Sequence, residues 1–132
     1  MQKDFSKYLL GGLVFILSLI LYLLTVAPTT SFWDTGEFIA TAYILGVPHP
    51  PGSPLFILLG KIFTLLPTAA DPALRMNIMS PVSSALANLL VFLIIIQLVK
   101  IWRGGLGEAK EKVMAYAGGF IGAMAFAGTD SH

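Results

Sequence analysis

The chain has 132 residues, of which 56% are hydrophobic and 11% charged, with a net charge of +1 and a mean hydropathy of +0.82. Soluble domains carry about 25% charged residues, so the polar side chains here are too few to cover a water-facing fold, and an all-α membrane protein is expected. The weak charge imbalance, with no basic run, speaks against nucleic acid; the absence of cysteine excludes disulfides, thiolate catalysis and cysteine-based zinc sites.

Tyr8 to Ala27 is an uncharged apolar stretch preceded by Lys3 and Lys7. Its length suits a helix crossing a hydrocarbon core of roughly 30 Å. A cleaved signal peptide competes, because Thr25-Val26-Ala27 ends in a small residue. Signal peptides have a shorter apolar region, about 7–15 residues, and Pro28 is a poor residue to follow a cut, so an uncleaved span is favoured. Asp34 to Leu45 then reads as a short amphipathic helix. Val47 to Pro54 (VPHPPGSP) cannot be regular helix, because its prolines remove donors; it reads as an extended bend with Gly52 as its flexible point. Leu55 to Leu66 is apolar but covers only about 18 Å, and Lys61 sits in its middle; it is expected to be an interfacial or re-entrant helix.

Ser80-Pro81 has the form of a helix start, with Ser80 as N-cap and Pro81 at the first helical position. A second span follows over 81–99, closed by Lys100 and Arg103. A third, rich in glycine and alanine, covers 113–127, where Gly118 and Gly122 have the spacing that lets helices approach closely in lipid and associate. With spans at 8–27, 81–99 and 113–127, Lys3, Lys7, Lys100, Arg103, Lys110 and Lys112 share one side, and the other holds only Lys61 and Arg75. The excess of positive charge places the N-terminus and the 100–112 loop in the cytoplasm and the 28–80 loop outside it.

The polar residues of that outer loop gather around Asp34 and Glu37, three apart and so on one face of a helix. The pattern fits a capping box, with Asp34 as N-cap and Glu37 at the third helical position. It equally fits a carboxylate general base that takes a proton from a hydroxyl, and paired carboxylates also suit a divalent cation. His49 reads either as an ordinary loop histidine or as an imidazole that faces a phosphate or relays a proton. Lys61 and Arg75 read either as lipid-phosphate contacts or as a snorkelling and a helix-anchoring cation. Asp130 and His132 would emerge on the same outer side. Trp33 and Phe38 suit the interfacial belt.

The run Thr25-Val26-Ala27-Pro28-Thr29-Thr30-Ser31-Phe32-Trp33-Asp34-Thr35-Gly36-Glu37-Phe38-Ile39-Ala40, followed by His49-Pro50-Pro51-Gly52-Ser53-Pro54-Leu55, resembles the N-terminus of the DUF2723 family, which groups with transmembrane protein 260-like proteins. The resemblance implies the N-terminal part of a GT-C type glycosyltransferase, similar to protein O-mannosyltransferases. Such enzymes move a sugar from a polyprenyl-phosphate donor to a polypeptide or glycan hydroxyl on the non-cytoplasmic side. It implies Asp34 as the acidic catalytic residue of the first outer loop with Glu37 beside it; the residues themselves add His49, Lys61 and Arg75 as candidate substrate contacts. A bacterial cell (inner) membrane is the expected location. Family members are much longer, so a fragment that is inactive alone is expected. The competing reading is a small non-catalytic multi-pass subunit or scaffold that binds partner helices.

Overall fold

The computed structural model describes residues 5–30 and 33–129. Among the described residues there are six helices and no strand: α1 (Phe5–Thr25), α2 (Thr35–Ile44), α3 (Pro54–Leu65), α4 (Pro72–Asn77), α5 (Met79–Trp102) and α6 (Ala109–Thr129). α1 and the nearly continuous stretch Pro72–Trp102 are long and apolar enough to cross a membrane. With the composition, this makes the chain an all-α membrane protein. α6, expected as a third span, is as long as α1 at 21 residues, about 30 Å of helix, but is not among the helices apolar enough to cross. It extends the expected 113–127 stretch at both ends, because Ala109 to Lys112 add a polar first turn.

The helices form two compact units. The first is built from α1, most of α5, and α6; the second is Thr25–Val82. In the first, Val14 of α1, Phe92 and Ile96 of α5, and Ala115, Tyr116 and Ala123 of α6 make the core. Small residues let α6 come close. A Cβ on Gly119 would meet Phe92 Cδ2 at 3.2 Å, and one on Gly122 would meet Ile95 Cδ1 at 2.8 Å. Gly118, by contrast, faces open space. The close face of α6 is therefore the four-residue repeat Ala115, Gly119, Ala123 and Ala127, all buried, flanked by Gly122. The Gly118/Gly122 pair expected from spacing is divided between an outer and an inner face. The fully buried Asn88 of α5 donates from Nδ2 to the Tyr22 hydroxyl of α1 at 3.0 Å, a polar link between two apolar helices.

The second unit packs α2, α3 and α4 around Ile39, Ala42, Ile57, Ala73 and Met76. Gly60 is the point of closest approach: a Cβ there would lie 2.9 Å from Met76 Cε and 3.0 Å from Ala42 Cβ. Asp71 caps α4 by accepting from the Ala73 N–H at 2.9 Å, with Pro72 at the first position. α5 begins at Met79 rather than at Pro81. Proline is accommodated at this third position because the first-turn N–H groups have no intrahelical partner. Asn77 closes the unit at its base, donating to the carbonyls of Ala27 and Thr29, each at 2.9 Å.

Filling the Gly60 contact will weaken the second unit. Gly60→Val is expected to destabilise it by about 1–3 kcal/mol through overpacking, lowering the midpoint of thermal unfolding in detergent. Gly118→Ala, which meets nothing within 4 Å, is expected not to lower it. Equal midpoints for the two variants would contradict the packing described.

Candidate active site

α2 begins where the backbone turns sharply. Trp33 has φ of 65°, a left-handed conformation uncommon for a bulky side chain, and its indole is 96% exposed. Asp34 follows at the N-cap position and makes no side-chain cap hydrogen bond; its carbonyl accepts from the Phe38 N–H at 3.0 Å. The capping box is thus not formed. Glu37, one turn on, points to the proline-rich bend instead.

That bend carries His49 back to α2. Gly52, at φ 72°, donates its N–H to the His49 carbonyl at 3.0 Å, and the Pro50–Pro51 peptide is cis. Glu37 then holds His49 twice. Its Oε1 accepts from the His49 backbone N–H at 2.7 Å, and its Oε2 lies 2.8 Å from the ring Nδ1. The Phe38 ring meets the imidazole edge-on, with centroids 5.9 Å apart, and meets Phe56 in the same manner at 5.5 Å. Phe38 is thereby turned into the unit rather than displayed at an interface. With Nδ1 occupied, Nε2 is the free end of the ring, 3.9 Å from Asp34 Oδ2.

The electrostatics follow from this geometry. The hydrogen bond and charge of Glu37 push the His49 pKa above its ordinary 6.5, with a smaller contribution from Asp34. The side-chain and backbone hydrogen bonds from His49 hold the Glu37 carboxyl below its ordinary 4.5. With His49 protonated, the cluster holds two carboxylates and one imidazolium. Asp34 is the carboxylate left uncommitted, with its side chain 63% exposed. One donor atom from each of Asp34, Glu37 and His49 lies within 4.8 Å of the others. Each Glu37 oxygen already accepts one hydrogen bond from His49, so a divalent cation would share that carboxylate with the imidazole.

Of the residues singled out from sequence, Asp34, Glu37 and His49 come together. Lys61 and Arg75 serve other contacts. Lys61 donates to the Tyr43 carbonyl at the end of α2, with its ammonium 5.3 Å from the Tyr43 ring centroid. Arg75 donates from Nε to the Ala69 carbonyl at 2.6 Å and from Nη1 to the Thr64 carbonyl at 3.1 Å, tying the α3–α4 loop to α4. Asp130 and His132 lie outside the described residues. Phe38 and Tyr43 are the partners that sequence reading did not assign; both contacts join residues more than ten positions apart, so local spacing carries no signal for them.

An all-α membrane protein with an exposed carboxylate–histidine cluster on a short helix and bend is the class that fold and site define. Residues 34–132 match the protein O-mannosyl-transferase TMEM260 N-terminal domain, and the chain belongs to that family. It is 39% identical over 83 residues to "Protein O-mannosyl-transferase tmem260" of Dictyostelium discoideum, covering 61% of this chain and 10% of the relative. It is 35% identical over 85 residues to "Protein O-mannosyl-transferase TMEM260" of Mus musculus, covering 64% of this chain and 12% of the relative. The chain therefore spans about a tenth of the length of these relatives. No solved structure matches it.

The Glu37–His49 pair has a defined pH window. Its Glu37 contribution is fully present above pH 4.5 and lost as pH falls through the lowered Glu37 pKa. Its His49 contribution is fully present below pH 6.5 and lost as pH rises through the raised His49 pKa. An imidazole NMR titration is expected to give a His49 midpoint above 6.5, and Glu37→Gln is expected to bring it down. A midpoint that Glu37→Gln does not move would contradict the pairing.

Proposed function

We propose that this chain supplies the acceptor-activating part of a membrane glycosyltransferase of GT-C type, one that moves a sugar from a polyprenyl-phosphate donor to a hydroxyl. The names of the relatives suggest mannose as the sugar and a protein oxygen as the acceptor. The observation that carries the reading is the division of labour between the two carboxylates. Glu37 spends both oxygens on His49, so it orients that ring and is poorly placed to take a proton. Asp34 keeps its carboxylate free beside Nε2 and is the general base.

In this scheme the acceptor oxygen attacks the anomeric carbon while its proton passes to Asp34. The bond from that carbon to the donor phosphate oxygen breaks, and the polyprenyl phosphate leaves as the anion. His49 offers its Nε2 side to that phosphate, where a donor aimed at developing charge lowers the barrier. Lys61 and Arg75 support the scaffold that carries the cluster, and their role as lipid-phosphate contacts stays part of the proposal. The excess of Lys and Arg in the N-terminal and 100–112 segments supports a three-span arrangement with α2, α3 and α4 on the non-cytoplasmic side. The whole activity belongs to a longer protein, of which this chain corresponds to a small part.

The test uses a full-length relative. In a relative that carries an aspartate at the position matching Asp34, replacing it by asparagine is expected to lower the rate of sugar transfer about 10²–10⁴-fold. Membrane insertion and the unfolding midpoint are expected to be unchanged. Unaltered turnover in a folded variant would remove Asp34 from the base role. Where the relative also carries the matching glutamate and histidine, replacing that glutamate by glutamine is expected to shift the upper limb of the pH–rate profile to lower pH, because the imidazole then loses its proton earlier.

A further inference from the structure

Glu37 holds the His49 ring along one line. The ring hangs from its Cβ, and Glu37 Oε2 engages Nδ1 at 2.8 Å. Those two points define an axis, and an imidazole fixed only there can still swing about it. Nε2 lies off the axis, so a swing carries it sideways, past Asp34 Oδ2 at 3.9 Å. The His49 side chain is 48% exposed, so close packing does not surround it. A contact away from the axis is needed to fix the plane of the ring. Phe38 makes one. Its ring meets the imidazole at 67° with centroids 5.9 Å apart, the edge-to-face geometry that aromatic quadrupoles favour. Phe38 follows Glu37 on α2, so two consecutive residues grip the histidine at different points. Phe38 is itself backed: Phe56 of α3 meets it at 85° and 5.5 Å, and it packs against the core of Ile39, Ala42 and Ile57. Three rings thus run as a ladder from α3 to His49. A side chain that only filled the core would need bulk; this one uses its aromatic geometry on both sides.

We propose that Phe38 is a positioning residue: it fixes the tilt of the His49 ring, and with it the direction in which Nε2 points. Glu37 decides which nitrogen is free, and Phe38 decides where that nitrogen is aimed. Phe38 touches no reacting atom in this scheme and acts through His49. Where Nε2 faces the leaving phosphate, its aim is worth rate, because a donor lowers the barrier only at the place where charge develops. That consequence rests on the proposed function; the restraint on the ring does not.

The chain has two histidines, and His132→Gln leaves His49 as the single imidazole. In that 132-residue chain in detergent, carbon NMR relaxation of the ring reports its motion. The ring is expected to be as rigid as the α2 backbone, to remain so in Phe38→Tyr, which keeps an aromatic ring, and to gain mobility in Phe38→Leu, which keeps only apolar bulk. Phe56→Leu leaves every His49 contact in place and is expected to loosen the imidazole by less; it carries the test should Phe38→Leu fail to fold. An imidazole that neither leucine variant loosens overturns the proposal. Equal loosening of the ring and the α2 backbone, meaning a general loss of structure, also overturns it. In a full-length relative that carries the matching histidine and phenylalanine, leucine in place of that phenylalanine is expected to lower kcat about tenfold at unchanged KM, and tyrosine to restore it. A raised KM with kcat intact puts the phenylalanine on substrate and overturns the positioning role. A loosened ring with kcat and KM both unaltered upholds the restraint and removes His49 from the phosphate, so the two readings fail separately.

Discussion

The double grip of Glu37 on His49 is the interaction on which the site depends. One oxygen takes a backbone N–H, which is always a donor, and the other takes a ring nitrogen, whose proton comes and goes. The backbone bond fixes where the bend lies whichever protonation state the imidazole holds. The ring bond fixes which nitrogen faces Asp34. A single carboxylate thus sets both the path of a proline-rich segment and the orientation of the imidazole. The bend can be held this way because four of its eight residues, Pro48, Pro50, Pro51 and Pro54, have no N–H to offer a helix or sheet. The His49 N–H is among the few left for an outside partner.

The scaffold behind that grip is small and tightly built. Gly60 lets α3 press against Ala42 of α2 and Met76 of α4, and side chains finish what short helices cannot. Isolated helices of six to twelve residues are marginal in water. Here Lys61 takes up a carbonyl at the end of α2, Arg75 spans the α3–α4 loop, and Asp71 caps α4. These contacts supply the partners that helix ends lack. Charged residues that resemble ligand contacts in the sequence are thus, in the folded unit, partners of the main chain.

The apolar helices were legible because length and hydropathy report them directly. Tyr8 to Ala27 falls almost wholly within α1, and Leu55 to Leu66 falls within one residue of α3 at each end. The bend was legible from its prolines. α4 was not, since its six residues are too few for a periodic signal, although the Asp71-Pro72 start was present. The Glu37–His49 pairing was out of reach for another reason. Local spacing pointed Glu37 at its own helix end, and a contact twelve residues away competes with that only once the bend has formed. The small-residue face of α6 was half legible. In a segment so rich in glycine and alanine several four-residue registers exist, and only the bulk of Phe92 and Ile95 decides which faces inward.

Asn77 gives the second unit a property that neither its helices nor its site would supply. By bonding Ala27 and Thr29 from some fifty positions away, it draws the two ends of the segment together at one point. A closed loop of that length has already met most of its closure cost, and further residues inserted in it add only with the logarithm of its length. The segment can therefore lengthen or shorten between its helices over evolutionary time while its neck stays fixed. Changes of length can be taken up at the tips of the unit without parting Asn77 from Ala27 and Thr29.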